Sequence, residues 1–338
     1  MTSPTPLAVS VGDPGGIGPR VAMRACARAV GDDRVLVFGD ADHLQRLLEQ
    51  AGAGDRGVRL EPTDSDAPPA GHVGLVHLGS WEREATERHA PTPSGGRAQL
   101  ASLDAAIGAV TQGRARALVT GPTSKRAIAA AGTPFVGQTE HLARAAGLGD
   151  DDVTMMFLGP RLRVALVTTH LSVRALPDAI TAARVERTIR HLAEVLLALG
   201  ISRRPLRVVV TGLNPHAGEG GLFGDEEPRA IAPGIERARA SAHVAAGRVE
   251  LEGPRPAEAA FRAAAAGDVD GVVAMMHDQA TIASKLLDWG SAVNVTWGLP
   301  FVRTSVDHGV AYDAAARGEA SAEGMEAALR MARRLTGS

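Results

Sequence analysis

The sequence predicts an α/β protein built on a mostly parallel sheet. Two observations carry that prediction. Short apolar runs rich in Val and Leu alternate with alanine-rich stretches along the whole chain, which is the pattern of repeated strand–helix units. The runs are near-continuously apolar, as strands buried on both faces require.

In chain order, strands are expected at Leu7–Val11, Arg34–Phe38, Val73–Leu78, Arg116–Thr120, Thr154–Leu158, Leu162–Thr168, Leu206–Thr211, Gly271–Met276 and Ala292–Thr296. Helices are expected between them at Pro19–Val30, Ala98–Gln112, Ala182–Leu199, Pro228–Ala240 and Pro256–Ala266. Pro19 suits a first helical turn, and the periodic run from Val185 to Leu199 stops at Gly200. Residues Gly52 to Ala70, rich in Gly, Asp and Pro, read as a surface excursion. No internal repeat, low-complexity tail or compositional linker interrupts the alternation.

The 338 residues, 45% of them apolar, suffice for one large or two ordinary domains. With 36 basic and 38 acidic side chains the formal net charge is −2, which gives no electrostatic case for nucleic acid or an anionic membrane. No apolar run approaches the roughly 18 residues of a membrane span. The stretch Met1 to Pro6 lacks a basic region followed by an apolar core. Cys26, the sole cysteine, has no partner for an internal disulfide. These features lead to the expectation of a soluble cytoplasmic protein.

The rare residues are informative. Lys125 and Lys285 are the only lysines, Asn214 and Asn294 the only asparagines, and Tyr312 the only tyrosine. Where arginine serves for surface charge, a retained lysine points to a site that needs a compact ammonium. Both lysines and both asparagines fall near strand ends.

Three histidines follow three of the apolar runs: His170, His216 in Asn214-Pro215-His216, and His277. Ligands of open α/β sheets sit outside the carboxyl ends of the strands. Three imidazoles gathered there make a metal site with an open position. A lone histidine ending a strand is more often hydrogen-bonded structure; the threefold placement favours ligation. Asp278 is placed to orient an imidazole or to act as a base.

The first strand runs into Gly12-Asp13-Pro14-Gly15-Gly16-Ile17-Gly18-Pro19, a tight turn or the wall of a ligand cleft, and not a dinucleotide fingerprint. Thr120-Gly121-Pro122-Thr123-Ser124-Lys125 suits a phosphate or carboxylate, or caps a helix. Lys285, Asn294 and Arg303, following the third histidine, read as an anionic-substrate pocket.

Together these strings resemble the 4-hydroxythreonine-4-phosphate dehydrogenase (PdxA) family of pyridoxal-phosphate biosynthesis. They are Gly-Asp-Pro-x-Gly-Ile-Gly-Pro, Thr-Gly-Pro-x-x-Lys, Gly-Leu-Asn-Pro-His-Ala-Gly-Glu-Gly-Gly, His-Asp-Gln, Val-Asn-Val-Thr-x-Gly-Leu-Pro and Arg-Thr-Ser-Val-Asp-His-Gly. The likeness runs from about residue 7 to about residue 335. It implies a fold like isocitrate and isopropylmalate dehydrogenases, two α/β/α subdomains around a cleft. The first would be residues 1–130 with 295–338 on the cofactor side, the second residues 131–294 on the metal and dimer side.

The resemblance further implies a homodimer with a shared active site. His170 and His216 of one subunit and His277 of the other would hold one divalent metal (zinc, magnesium, manganese or cobalt). Gln138, Thr139, Lys285, Asn294 and Arg303, with Lys125, would bind substrate. Gly12, Asp13, Asn214, Asp307, His308 and Gly309 would line the NAD or NADP site. Asp278 or Lys285 would serve as base. The implied reaction is oxidation of 4-hydroxythreonine-4-phosphate and decarboxylation to 3-amino-2-oxopropyl phosphate.

Gln138 stands where family members carry histidine, Arg20 replaces a glutamate, and Ala280 a glycine. The alternatives are therefore oxidation of 4-phosphoerythronate, 4-phosphothreonate or a cyclic diol dicarboxylate. A metal-assisted hydrolase and a catalytically silent binder of a phosphorylated acid use the same residues differently.

Overall fold

The computed structural model describes residues 5–29, 34–52, 59–62, 68, 72–201 and 205–337. The chain folds as two compact units, residues 1–150 with 299–336 and residues 151–298.

In the first unit, β1 (Leu7–Ser10), β2 (Val35–Gly39), β3 (Arg59–Pro62), β4 (His72–His77) and β5 (Ala117–Thr120) pair in parallel in the order β3-β4-β2-β1-β5, and the strand Val302–Ser305 adds in parallel beside β5. Every residue of β1, β2 and β5 is buried, which is why they read as unbroken apolar runs. Around them lie α1 (Gly18–Ala29), α2 (Ala41–Gln50), α3 (Pro93–Thr111), α4 (Lys125–Ala130) and α5 (Gln138–Ala145). Helix α2 starts where the Asp40 carboxylate accepts from the His43 amide; α3 starts where Thr92 Oγ1 accepts from the Gly95 amide, with Pro93 in the first turn. Leu103, Ala106, Ile107 and Val110 of α3 cluster with Leu36, Phe38 and Leu118 of the sheet. Each large side chain buried there stabilises the fold by about 1.5–3 kcal/mol relative to exposure.

The second unit holds β6 (Thr154–Leu158), β7 (Arg163–Leu166), β8 (Leu206–Thr211), β9 (Val249–Arg255), β10 (Gly271–Ala274) and β11 (Val293–Trp297) in the order β11-β6-β7-β10-β8-β9. Strand β6 is antiparallel to both neighbours; β7, β10, β8 and β9 run parallel. Helices α6 (Ala182–Ala198), α7 (Ala257–Ala266) and α8 (His277–Leu287) flank them. Since β7, β10 and β8 are adjacent and parallel, residues 167–170, 275–277 and 212–216 all leave the same edge of the sheet.

The structure departs from the sequence expectation in four places. Val302–Ser305 forms a strand although it holds Arg303, Thr304 and Ser305, because the polar groups are hydrogen-bonded inside. Strand β9 alternates buried and exposed residues, as an edge strand does. The Gly52–Ala70 excursion contains strand β3, and most of its remainder lies outside the described residues. The run from Leu162 shortens to β7, although the Val167 amide still donates to the Ala274 carbonyl at 2.9 Å. Among the described residues, no helix is long and apolar enough to cross a membrane.

Candidate active site

In the second unit the ends of β7, β8 and β10 are tied together before any ligand is considered. Thr168 Oγ1 donates to the Met275 carbonyl at 2.6 Å. Gln279 Oε1 accepts from the Met275 amide at 3.0 Å, and its Nε2 donates to the Gly212 carbonyl at 3.1 Å. The resulting frame places His170 and His277 with ring centroids 5.4 Å apart. The carboxylate of Asp278 accepts from His277 Nδ1 at 2.8 Å. That bond fixes the tautomer and leaves Nε2 as the donor for a cation.

His216 leaves the third strand end differently. Residues 216 to 220 are five consecutive left-handed residues, with φ of 53°, 54°, 82°, 45° and 67°. His216, Ala217 and Glu219 each incur strain of about 1–2 kcal/mol in that region. The turn is held by Glu227, whose side chain is buried (3% exposed). Its Oε1 accepts from the Leu213 and Asn214 amides, both at 2.8 Å, and its Oε2 from Asn214 Nδ2 at 2.9 Å. Asn214 is thus committed to Glu227 and Glu226. Among the described residues, no three His, Cys, Asp or Glu groups of one chain gather as a metal cluster. The structure brings His170 to His277 within one chain and leaves His216 on the neighbouring strand end. The chemistry of this set, two facing imidazoles with one oriented by a carboxylate, fits a divalent cation.

Further along α8, Lys285 is exposed, with Nζ 5.4 Å from the Trp289 ring centroid. It lies eight residues past His277, about 12 Å along the helix axis. Asn294 on β11 is half-buried, and its Oδ1 is a buried acceptor with no partner among the described residues. Such an orphan is what a ligand hydroxyl or ammonium would satisfy.

The first unit gathers the other expected residues at the carboxyl ends of β1, β5 and the strand Val302–Ser305. Arg303 is buried (2% exposed). It donates to Thr120 Oγ1 at 2.7 Å and to Gln138 Oε1. Burial pulls its pKa down to about 10, against the Glu140 carboxylate. Gln138 Nε2 donates to the Gly121 carbonyl at 2.9 Å and to Thr123 Oγ1 at 3.0 Å. Thr139 is half-buried beside it. Lys125 opens α4, exposed, its Nζ close to Gly137.

Gly12 adopts φ 79°, and a Cβ there would lie 2.3 Å from the Pro122 carbonyl oxygen, so only glycine fits between the two loops. Asp13 faces inward. It accepts from the Gly15 amide at 2.9 Å, Gln99 Nε2 at 2.8 Å and Tyr312 Oη at 2.8 Å. Burial lifts its pKa above the ordinary range despite these bonds. Gln99 Oε1 in turn accepts from the Ser124 amide at 2.7 Å. In the Asp307-His308-Gly309 loop, His308 Nδ1 donates to the Gly309 carbonyl at 3.0 Å and the buried Nε2 has no partner among the described residues.

Sequence reasoning missed Glu227, which stands in the acidic run Asp225-Glu226-Glu227, and Gln99, a polar residue in a helical stretch. Gln279 carried a signal through its place in His277-Asp278-Gln279.

Residues 32–332 match the model of the family described as pyridoxal phosphate biosynthetic protein PdxA. A 4-hydroxythreonine-4-phosphate dehydrogenase of Geobacter metallireducens is 40% identical over 328 residues, covering 96% of this chain and 94% of that protein. The crystal structure of 4-hydroxythreonine-4-phosphate dehydrogenase from Klebsiella pneumoniae superposes with a TM-score of 0.78 at 33% identity, covering 98% of this chain and 99% of that one. A terephthalate 1,2-cis-dihydrodiol dehydrogenase from Burkholderia xenovorans gives 0.65 at 28%, with 98% of each chain covered. Isocitrate dehydrogenase from Methylococcus capsulatus, at 15% identity and a TM-score of 0.51 over 98% of this chain and 86% of that one, shares the fold alone. The expected fold class is therefore borne out, and the chain belongs to the PdxA family of pyridoxal phosphate biosynthetic proteins.

Proposed function

We propose that this dehydrogenase oxidises 4-hydroxythreonine-4-phosphate with NAD or NADP and a divalent metal, and that the keto acid formed loses carbon dioxide to give 3-amino-2-oxopropyl phosphate. The observation that carries the reading is the His170–His277 pair at the ends of adjacent parallel strands, with Asp278 orienting one ring. His170, His216 and His277 would hold the metal. When bound, such a cation lowers the pKa of a substrate hydroxyl and stabilises enolate charge, while nicotinamide accepts hydride.

The chain's own groups supply the rest. Asp278 keeps His277 in the ligating tautomer. Arg303 and Lys125 offer guanidinium and ammonium groups to phosphate and carboxylate. The orphaned Asn294 Oδ1 accepts a hydrogen bond from substrate. Lys285, as a neutral amine, would take the hydroxyl proton through water and become the ammonium. Gly12, Asp13, Asn214, Asp307, His308 and Gly309 belong to the cofactor side in this reading. Asp13 and Asn214 shape it from within, since their polar atoms already have internal partners. The homodimer is supported by the exposed apolar row along and just past α8, with Leu286 80% and Trp289 77% exposed.

A second substrate reading rests on Gln138 and on the dihydrodiol dehydrogenase among the structural relatives. Nicotinamide reduction should be followed for 4-hydroxythreonine-4-phosphate, 4-phosphothreonate, 4-phosphoerythronate and a cyclic diol dicarboxylate, after chelation and metal readdition. Turnover of the first, restored by metal, is expected. Turnover of another acid alone would replace the substrate; nicotinamide-independent release of phosphate would replace the reaction.

A further inference from the structure

A cavity within the first unit is left unassigned by that reading. It measures about 170 Å³, room for about five waters at roughly 30 Å³ each, or for one phosphate group. Arg20, His43, Arg46 and His89 line it, and no carboxylate among the described residues does. Arg20 gives one hydrogen bond, from Nη1 to the Gly318 carbonyl at 3.0 Å. Arg46 makes no hydrogen bond or ion pair among the described residues. His89 Nδ1 donates to the Gly15 carbonyl at 3.0 Å. Asp40, the acid acting on His43, has its two oxygens on the His43 amide at 3.1 Å and the Trp81 amide at 2.7 Å.

The local field is strongly positive. Arg20 is the third residue of α1, whose first turn holds no acid, so its charge opposes the helix dipole. An anion in the cavity would relieve both that opposition and the mutual repulsion of the two guanidinium groups. Burial and then Arg46 push His43 below its ordinary pKa, with Arg20 adding to the effect against Asp40. Ala315 forms part of the wall and belongs to the helix Tyr312–Ala316, which starts three residues past Gly309. That loop belongs to the cofactor side in the proposed reading.

We infer that this cavity binds a phosphate group through Arg20 and Arg46, and that the group is the 2′-phosphate of NADP. The cofactor part of the inference rests on the dehydrogenase reading; the anion part does not. Calorimetry with adenosine 2′,5′-bisphosphate and with AMP tests it without turnover. The bisphosphate should bind at least tenfold more tightly than AMP. Arg46→Ser, at an exposed position on α2, and Arg20→Gln should each bring that ratio close to one while leaving AMP binding unchanged. If the two nucleotides bind alike, but inorganic phosphate binds the native protein and not Arg46→Ser, the site stands with free phosphate as its source. If neither the bisphosphate nor phosphate distinguishes the native protein from Arg46→Ser, the inference is overturned. A tenfold nucleotide preference without any NADPH formation would remove the proposed reaction and leave the phosphate site intact.

Discussion

Glu227 is expected to decide whether the His216 turn keeps its shape. Its buried carboxylate accepts three hydrogen bonds from Leu213 and Asn214. Bonds to a charged acceptor contribute about 1.5–3 kcal/mol each, and they are not additive within one group. Against them stand three non-glycine residues held at positive φ, each strained by about 1–2 kcal/mol. Glu227→Ala removes the restraint, strands the three donors and lets the turn relax. The expected loss is about 3–5 kcal/mol, concentrated in residues 212–221. Glu227→Gln keeps one acceptor oxygen and should lose about half as much. The assay is thermal unfolding with and without added divalent cation, alongside amide exchange across 212–221. Glu227→Ala should exchange faster there and lose most of the cation's stabilising effect. If both variants melt like the native protein and protect these amides equally, the turn holds itself and the reasoning fails.

Three further outcomes are expected. His191 is 4% exposed and bonded at Nδ1 to Thr154 Oγ1 at 2.9 Å, and burial holds its pKa at about 4. The unfolded chain takes up this proton near pH 6.5, so stability should fall by about 3 kcal/mol as pH drops from 6.5 to 4. Urea midpoints of the native protein and His191→Gln at pH 7 and 4.5 check this, and an equal drop in both would count against it. Gln138→His replaces an amide that serves Arg303, Gly121 and Thr123 at once. The ratio of kcat/KM between threonine-derived and hydroxy-acid phosphates should change by about tenfold or more; an unchanged ratio would clear this position of any role in selectivity. Asp278→Asn should weaken metal affinity by about 10–100-fold without unfolding α8, and an unaltered titration with zinc or manganese would show that the carboxylate does not orient the ring.

The strands buried on both faces were readable because burial leaves a continuous apolar run, as in β1, β5 and β10. The histidine positions were readable for the same reason, since a strand end is where such a run stops. Val302–Ser305 was not, because its burial is balanced by hydrogen bonds from Arg303 and Ser305 to Thr120 rather than by apolar side chains. Nor was the left-handed turn at 216–220. Its conformation depends on Glu227, which contacts it only after β8 and the following segment have folded together. The closeness of His170 to His277 required the order β7-β10-β8, which no linear pattern specifies.

The line from Tyr312 through Asp13 and Gln99 to Ser124 has a kinetic meaning for whatever docks on the first unit. Four segments distant in sequence are clamped before any visitor arrives, so little ordering remains to be done on encounter. Association with that face should proceed in a single phase whose speed follows diffusion and charge, with no slow rearrangement behind it.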